Sequence, residues 1–375
     1  MVKTMKKLGF GTMRLPVIDG DTAKVDLEKF SQMVDLFLAR GFTYFDTSYV
    51  YHGGMSECAL KTALVDRYPR DKFTITTKLP VFLLQSDGDT RKYFAEQLQR
   101  LGTDYVDYYW LHALNAATYA QAEKFHAFEE MQKLKDEGKI RHLGFSFHDS
   151  AQVLDRILTA HPEMEYVQLQ LNYFDWDSNS VQAKACYETV VRHGRQVVVM
   201  EPVKGGSLVQ VPAEVEQMFR QKQPDLSNAS WAIRFAASLD HVLVVLSGMS
   251  NMEQVEDNTS YMENFVPLDQ EEQEIVQKAA AVIRSQREVD CIACGKCTQV
   301  CPEKIPMADY FDMYNEFCQM HHYTNGMVYY GAFPAGTGKA SECIGCGKCE
   351  EVCPKKLPIQ DLLKKVAAAF ETTAL

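Results

Sequence analysis

The chain has 375 residues, 46% hydrophobic and 24% charged, with 21 Gly and 13 Pro, an ordinary globular composition that excludes collagen-like, coiled-coil and largely disordered readings. At roughly 100 to 200 residues per domain it holds two or three domains, or one barrel of about 250 residues with an appendage. A formal net charge of -11 disfavours a nucleic-acid or anionic-membrane partner, because phosphate binding needs a basic field. No apolar run reaches the length of about 18 residues that spans a bilayer. Met1 to Lys7 leads into no apolar stretch long enough for a signal peptide, so a cytoplasmic location is expected.

In chain order, short apolar, β-branched or aromatic runs alternate with helical patterns, the signature of repeated βα units. The strands are expected at Leu8 to Thr12, Thr43 to Asp46, Phe73 to Thr77, Val106 to Leu111, Arg141 to Phe145, Tyr166 to Gln170, Gln196 to Met200 and Val242 to Leu246. Between them, stretches such as Leu27 to Arg40 place Phe30, Met33, Val34, Phe37 and Leu38 on one buried helical face. Eight such units predict an α/β fold, a (β/α)8 TIM barrel. A doubly wound open sheet is the rival, and the first strand lacks the G-x-G-x-x-G that would favour it.

In a barrel the carboxyl ends of the strands face the active-site mouth, so polar residues there read as chemistry. They are Asp46, Lys78, His112, Ser146, Gln168, Glu201 and Ser247. Tyr44, Tyr49, Tyr108 and Tyr109 read as packing residues, and His52, His126, His142, His148 and His193 have no comparable argument.

Past residue 285 the composition changes. Of 11 cysteines, Cys58 and Cys186 stand apart and the rest fall between Cys291 and Cys353, which predicts a separate module over 286–375 after a barrel over 1–285. Cys291-x2-Cys294-x2-Cys297-x3-Cys301-Pro302 and Cys343-x2-Cys346-x2-Cys349-x3-Cys353-Pro354 each match the bacterial ferredoxin run for [4Fe-4S] clusters. In such runs three thiolates embrace one cubane and the fourth completes the other. One cluster is therefore expected on Cys291, Cys294, Cys297 and Cys353, and a second on Cys343, Cys346, Cys349 and Cys301. Zinc is the alternative, but its sites usually take two pairs of cysteines and not three plus one. The 41 residues from Pro302 to Glu342 begin with a helical pattern at Met307 to His322, so a small, mainly helical dicluster domain is expected, with Cys318 as a packing residue. Lys296, Lys304, Lys348, Lys355 and Lys356 would face a small acidic, ferredoxin-like redox partner, or are solvated charges beside the clusters.

The stretches GFGTMRLP, FDTSYVYHGGMSE, TTKLP, YVDYYWLH, IRHLGFSFHDS, VQLQLNY, EPVKGGSL and LSGMSNMEQVEDN carry a further signal. Over about residues 5–285 the chain resembles the aldo/keto reductase family, in the bacterial and archaeal form that ends in a ferredoxin-like 4Fe-4S dicluster domain. The resemblance implies that Tyr51 is the general acid, that Lys78 lowers its pKa, that Asp46 holds Lys78, and that His112 orients a substrate carbonyl. The roles are chemically coherent. A phenol with a pKa near 10 is helped toward neutral-pH work by a nearby ammonium, and a buried ammonium needs a carboxylate partner. The resemblance further implies an NAD(P)H cofactor, since the side chains hold no hydride donor. Its carboxamide would meet Ser146 and Gln168, with Phe147 in place of the family's Asn, and its ring would lie on Met200. The pyrophosphate would follow Lys204, Gly205 and Gly206, and the adenosine Gly248, Met249, Gln254 and Asn258. Gly248 and Gln254 stand where members that prefer a 2'-phosphate usually carry a basic residue, so NADH and NADPH both remain open.

A hydride carries two electrons and a cubane accepts one, and no flavin motif is apparent in the sequence. Two readings follow. One is an oxidoreductase that reduces a small carbonyl substrate, or oxidises the alcohol, through Tyr51. Its clusters would then be structural, oxygen-sensing, or wired to a partner. The other is a non-catalytic electron carrier or redox sensor whose barrel only binds nucleotide. A weaker third possibility makes the C-terminal module a lid over the barrel mouth.

Overall fold

The computed structural model describes residues 5–178, 181–319, 330, 333 and 336–371. Eight strands, β1 (Leu8–Gly11), β2 (Tyr44–Asp46), β3 (Thr74–Leu79), β4 (Val106–Leu114), β5 (Ile140–Phe147), β6 (Tyr166–Gln170), β7 (Gln196–Met200) and β8 (Val242–Ser247), form a closed parallel barrel. Closure is made where Leu8 pairs with Val245 and Phe10 with Ser247. The open-sheet alternative is thereby excluded.

Helices pack outside the barrel, each on an apolar stripe. In helix Leu27–Ala39 the stripe is Phe30, Met33, Val34 and Phe37, all buried, and Asp26 caps the first turn by accepting from the Lys29 N–H. Inside the barrel, Tyr44, Tyr108, Trp110, Val198, Val244 and Leu246 make a separate apolar plug. Gly144 of β5 has no room for a side chain, because a Cβ there would lie 2.3 Å from the Tyr166 carbonyl oxygen and 2.5 Å from the Trp110 ring.

Strand side chains alternate, so the residue two places beyond a plug residue lies on the same face, one layer nearer the mouth. Asp46 follows Tyr44, His112 follows Trp110, Ser146 follows Gly144 and Gln168 follows Tyr166. The expected strands differ mainly in length. β3, β4 and β5 run on to Leu79, Leu114 and Phe147, so Lys78, His112 and Ser146 lie within strands. The first strand stops at Gly11 and turns into a 3-10 helix at Thr12–Arg14.

Helix Gln270–Ser285 still packs against the barrel, sharing a cluster with Tyr173, Phe219 and Trp231. From Val289 a second core begins, built on Ile305, Tyr310, Phe311, Leu363, Val366 and Phe370 and joined by Val181 and Ala183 of the barrel. It contains helices Met307–Gln319 and Ile359–Phe370 and the short helices inside the two cysteine runs, Lys296–Gln299 and Lys348–Val352. Residues 320 to 322 of the expected helix lie outside the described residues. Among the described residues, no helix is long and apolar enough to cross a membrane.

Candidate active site and cysteine cavities

Lys78 is the centre of the barrel mouth. Its Nζ donates to Asp46 Oδ1 at 2.5 Å, to the Thr47 carbonyl at 2.8 Å and to the Tyr51 hydroxyl at 3.3 Å. Both ions are buried, Lys78 at 1% and Asp46 at 3% exposure, so they face each other with little water to screen them. Burial pulls the Lys78 pKa down, but Asp46 and Tyr51 outweigh it and the ammonium is held above its usual value. Burial raises the Asp46 carboxyl, opposed by Lys78 and by the Gln168 side chain.

Lys78 acts on Tyr51 in the expected direction, but other influences act on it too. Lys78 does pull its pKa down, yet burial is the larger influence, Asp46 and Glu201 add to it, and the phenol ends above 10. His112 stands edge-on to Tyr51 with ring centroids 5.9 Å apart, and Ser48 Oγ lies 3.2 Å from its Nδ1. Burial, then the charges of Lys78 and His148, keep this imidazole well below its ordinary pKa and therefore neutral, with one N–H to give.

Local backbone features aim these groups. β4 breaks register against β5 between Leu111 and Leu114, and Ala113 takes the left-handed φ of 57°. Ser146 Oγ accepts the Ala113 N–H at 2.7 Å and so pins this bulge beside His112. Tyr51 opens a tight turn in which His52 and Gly53 are left-handed. His52 ties that turn down, its Nε2 accepting from the Leu15 N–H at 3.1 Å and its Nδ1 lying 2.7 Å from the Thr22 carbonyl. Nδ1 therefore carries the proton. Behind Lys78, a buried Glu57 accepts from Thr77 Oγ1 at 2.6 Å and Gln97 Nε2 at 2.8 Å. Burial raises this carboxyl.

The expected nucleotide residues lie along one side of the mouth but are not alike. Ser146 and Gln168 are buried, Met200 is half-buried, and Phe147 packs into the core beside Phe145. Gly205 and Gly206 are left-handed, and a Cβ on Gly206 would meet nothing within 4 Å, so the backbone there lies open to a ligand. Lys204 has ion-pair partners of its own. It is 2% exposed and its ammonium is bound by Asp175 Oδ1 at 2.7 Å and by Glu316 of the C-terminal module, so its charge is already balanced. Gly248 and Gln254 are exposed, whereas Asn258 is buried and engaged with Ser247 and Tyr261. Arg14 lies against Gly248, its Cδ 3.5 Å from where a Cβ would stand, so a cation occupies the neighbourhood that Gly248 itself leaves without charge. Sequence reasoning missed Arg14, Ser48, Glu57, Asp175 and Glu316, because none lies at a strand end or in a metal-ligand spacing.

The eight cysteines of the two runs surround two cavities. Cys291, Cys294, Cys297 and Cys353 line one, and Cys301, Cys343, Cys346 and Cys349 line the other. Cys318 lines neither. Each cavity thus has four thiols on its lining. That donor set suits an iron–sulfur cubane. Lys355, among the basic residues singled out, is paired with Asp290 at 2.5 Å.

Comparison with known proteins agrees with this geometry. Residues 7–281 match the model of the aldo/keto reductase family, and residues 290–358 that of a 4Fe-4S dicluster domain. L-galactose dehydrogenase of Arabidopsis thaliana is 26% identical over 300 residues, covering 74% of this chain and 90% of that protein. An aldo-keto reductase of Mycolicibacterium vanbaalenii is 29% identical, covering 68% of this chain and 86% of its own length. Among solved structures, an aldo-keto reductase of Bacillus halodurans in its holo form superposes with a TM-score of 0.58 at 26% identity, covering 73% of this chain and 91% of that one. A Klebsiella pneumoniae aldo-keto reductase in complex with NADPH shares the fold, with a TM-score of 0.59 at 20% identity over 73% of this chain and 90% of that one. With nearly three quarters of its length matched and its barrel closed in the same way, the chain belongs to the aldo/keto reductase family.

Proposed function

We propose that the protein is an NAD(P)H-dependent carbonyl reductase, or in reverse an alcohol dehydrogenase, in which Tyr51 is the proton donor. The observation that carries this reading is the single ammonium of Lys78, bound at once to Asp46, the Thr47 carbonyl and the Tyr51 hydroxyl. When bound, the dinucleotide supplies the hydride. The chain supplies the rest. His112, neutral, donates its N–H to the carbonyl oxygen and holds it beside the Tyr51 hydroxyl, a contact that strengthens as negative charge grows there. Tyr51, kept protonated by burial, gives its proton to that oxygen, and Lys78 steadies the phenolate left behind. Asp46 keeps the lysine charged and in place.

Ser146, Gln168, Met200, Gly206, Gly248, Gln254 and Asn258 are assigned to the dinucleotide side of the mouth, with Lys204 acting as described below. The barrel over 1–285 is followed by a module over 286–375 that holds two [4Fe-4S] clusters on the two sets of four cysteines, supported by the two thiol-lined cavities. Clusters of this kind pass single electrons, which accords with a small ferredoxin-like redox partner.

Tyr51→Phe tests the catalytic role. Carbonyl reduction should fall by about 10² to 10⁴ in kcat while the dissociation constant for NAD(P)H stays within about twofold. Retained turnover would eliminate Tyr51 as the acid and favour a barrel that only binds nucleotide.

A further inference from the structure

Helix Met307–Gln319 touches both halves of the molecule. Ala308 and Phe311 line the first thiol cavity and Met307 lines the second, while Glu316 reaches the Lys204 ammonium in the barrel. Lys204 directly precedes Gly205 and Gly206, whose left-handed backbone forms the open edge of the loop after β7. The turn is closed by its own backbone, the Lys204 N–H donating to the Glu201 carbonyl and the Gly206 N–H to the Val203 carbonyl, both at 3.0 Å.

The two carboxylates on Lys204 are not equivalent. Asp175 belongs to the barrel and is fully buried, and its second oxygen accepts from Gln170 Nε2 at 2.8 Å and Asn172 Nδ2 at 2.7 Å. Glu316 comes from the iron–sulfur module and, among the described residues, has Lys204 as its hydrogen-bond partner. One ammonium between two carboxylates leaves a negative charge in excess in a desolvated place, an arrangement that is costly to keep. Glu316 carries that excess: burial, then Asp175 and Asp312, push its carboxyl up to about 7 against the pull of Lys204. It is the one of the two anions that belongs to the second module, so a movement of that module would take it away from Lys204.

We infer that Glu316 is a built-in counter-anion that competes with the dinucleotide's phosphates for Lys204, so that docking of the iron–sulfur module and occupancy of the cofactor site oppose each other. This rests on the dinucleotide reading above and adds a residue of the second module to that site. Linkage makes the opposition reciprocal: the affinity the dinucleotide loses to Glu316 equals what the helix loses in docking when dinucleotide binds.

The experiment uses the full-length protein with its clusters assembled, titrated anaerobically with NADH and with NADPH by nicotinamide fluorescence. Glu316→Gln removes the charge and keeps the shape, and it should bind the dinucleotide about five- to tenfold more tightly than the unaltered protein. In the unaltered protein, saturating dinucleotide should speed amide exchange across Met307–Gln319, a readout that needs no variant. Unchanged or weaker binding by the variant, or a helix whose exchange does not respond to dinucleotide, overturns the competition while leaving the cofactor assignment standing. Failure of both proteins to bind either dinucleotide overturns the cofactor assignment and this inference together.

Discussion

Tyr51 sits among groups that disagree about its proton. Burial, Asp46 and Glu201 favour the neutral phenol, Lys78 favours the phenolate, and the balance lies above 10. At neutral pH the residue is therefore a phenol and not a phenolate. For a group whose pKa is raised, the protonated form is full at lower pH and is lost only as pH passes the raised value. Carbonyl reduction, which needs the phenol, should keep its kcat/KM up to pH 10 as far as Tyr51 is concerned, with the alkaline limb above that. Alcohol oxidation needs the phenolate and should rise with pH toward the same limb. A reductive limb that begins well below pH 10, and disappears in Tyr51→Phe, would show that Lys78 dominates after all. Asp46, Lys78 and His112 were legible as polar residues at successive strand ends, whereas Tyr51 came only with the family resemblance. The outcome of the contest was not legible, because the spacing names the neighbours of a phenol but says nothing of how much water they exclude.

The elements that aim the site were less visible than the residues that compose it. Alternation and βα spacing gave all eight strands, yet Lys78, His112 and Ser146 lie within β3, β4 and β5 and not after them. Polar residues normally mark where a strand stops, and here the barrel wall continues through them because their side chains line a functional interior. The bulge at Ala113 is the clearest case. An alanine carries no turn signal, and its left-handed φ of 57° is set by a neighbour, the Ser146 hydroxyl that accepts its N–H. Ser146→Ala should cost about 1 kcal/mol in denaturant unfolding and lower kcat/KM for carbonyl reduction at saturating dinucleotide, where a loss through the cofactor contact is compensated and a misaimed His112 is not. Unchanged stability and unchanged kcat/KM would mean that the bulge holds without the serine. Ser146→Thr, which keeps an oxygen at the same place, should recover most of the loss.

At the scale of the whole molecule, the two modules meet through contacts that no local pattern announces: Lys204 and Glu316 are 112 residues apart, and Val181 and Ala183 of the barrel join the second core. The cysteine runs are the opposite case, since each specifies its own turn and places its fourth thiol on the cavity that the other run lines. That sharing makes the pairing testable by nested substitutions. A chain with both clusters carries about eight iron atoms, and Cys353→Ser or Cys301→Ser should each reduce this to about four. If Cys353 closes the cavity lined by Cys291, Cys294 and Cys297, then Cys294→Ser combined with Cys353→Ser should lose no more iron than either alone. Cys294→Ser combined with Cys301→Ser should leave almost none. The reverse pattern, in which the same-run pair Cys294 and Cys301 is the redundant one, would mean that each run holds its own cluster and that the cross-over is wrong. Cys297, Cys349 and Cys353 are also buried in the small second core, so the thiols that would hold iron also hold the fold. Removing iron with a chelator should therefore loosen helices Met307–Gln319 and Ile359–Phe370 in amide exchange, while the barrel strands keep their protection.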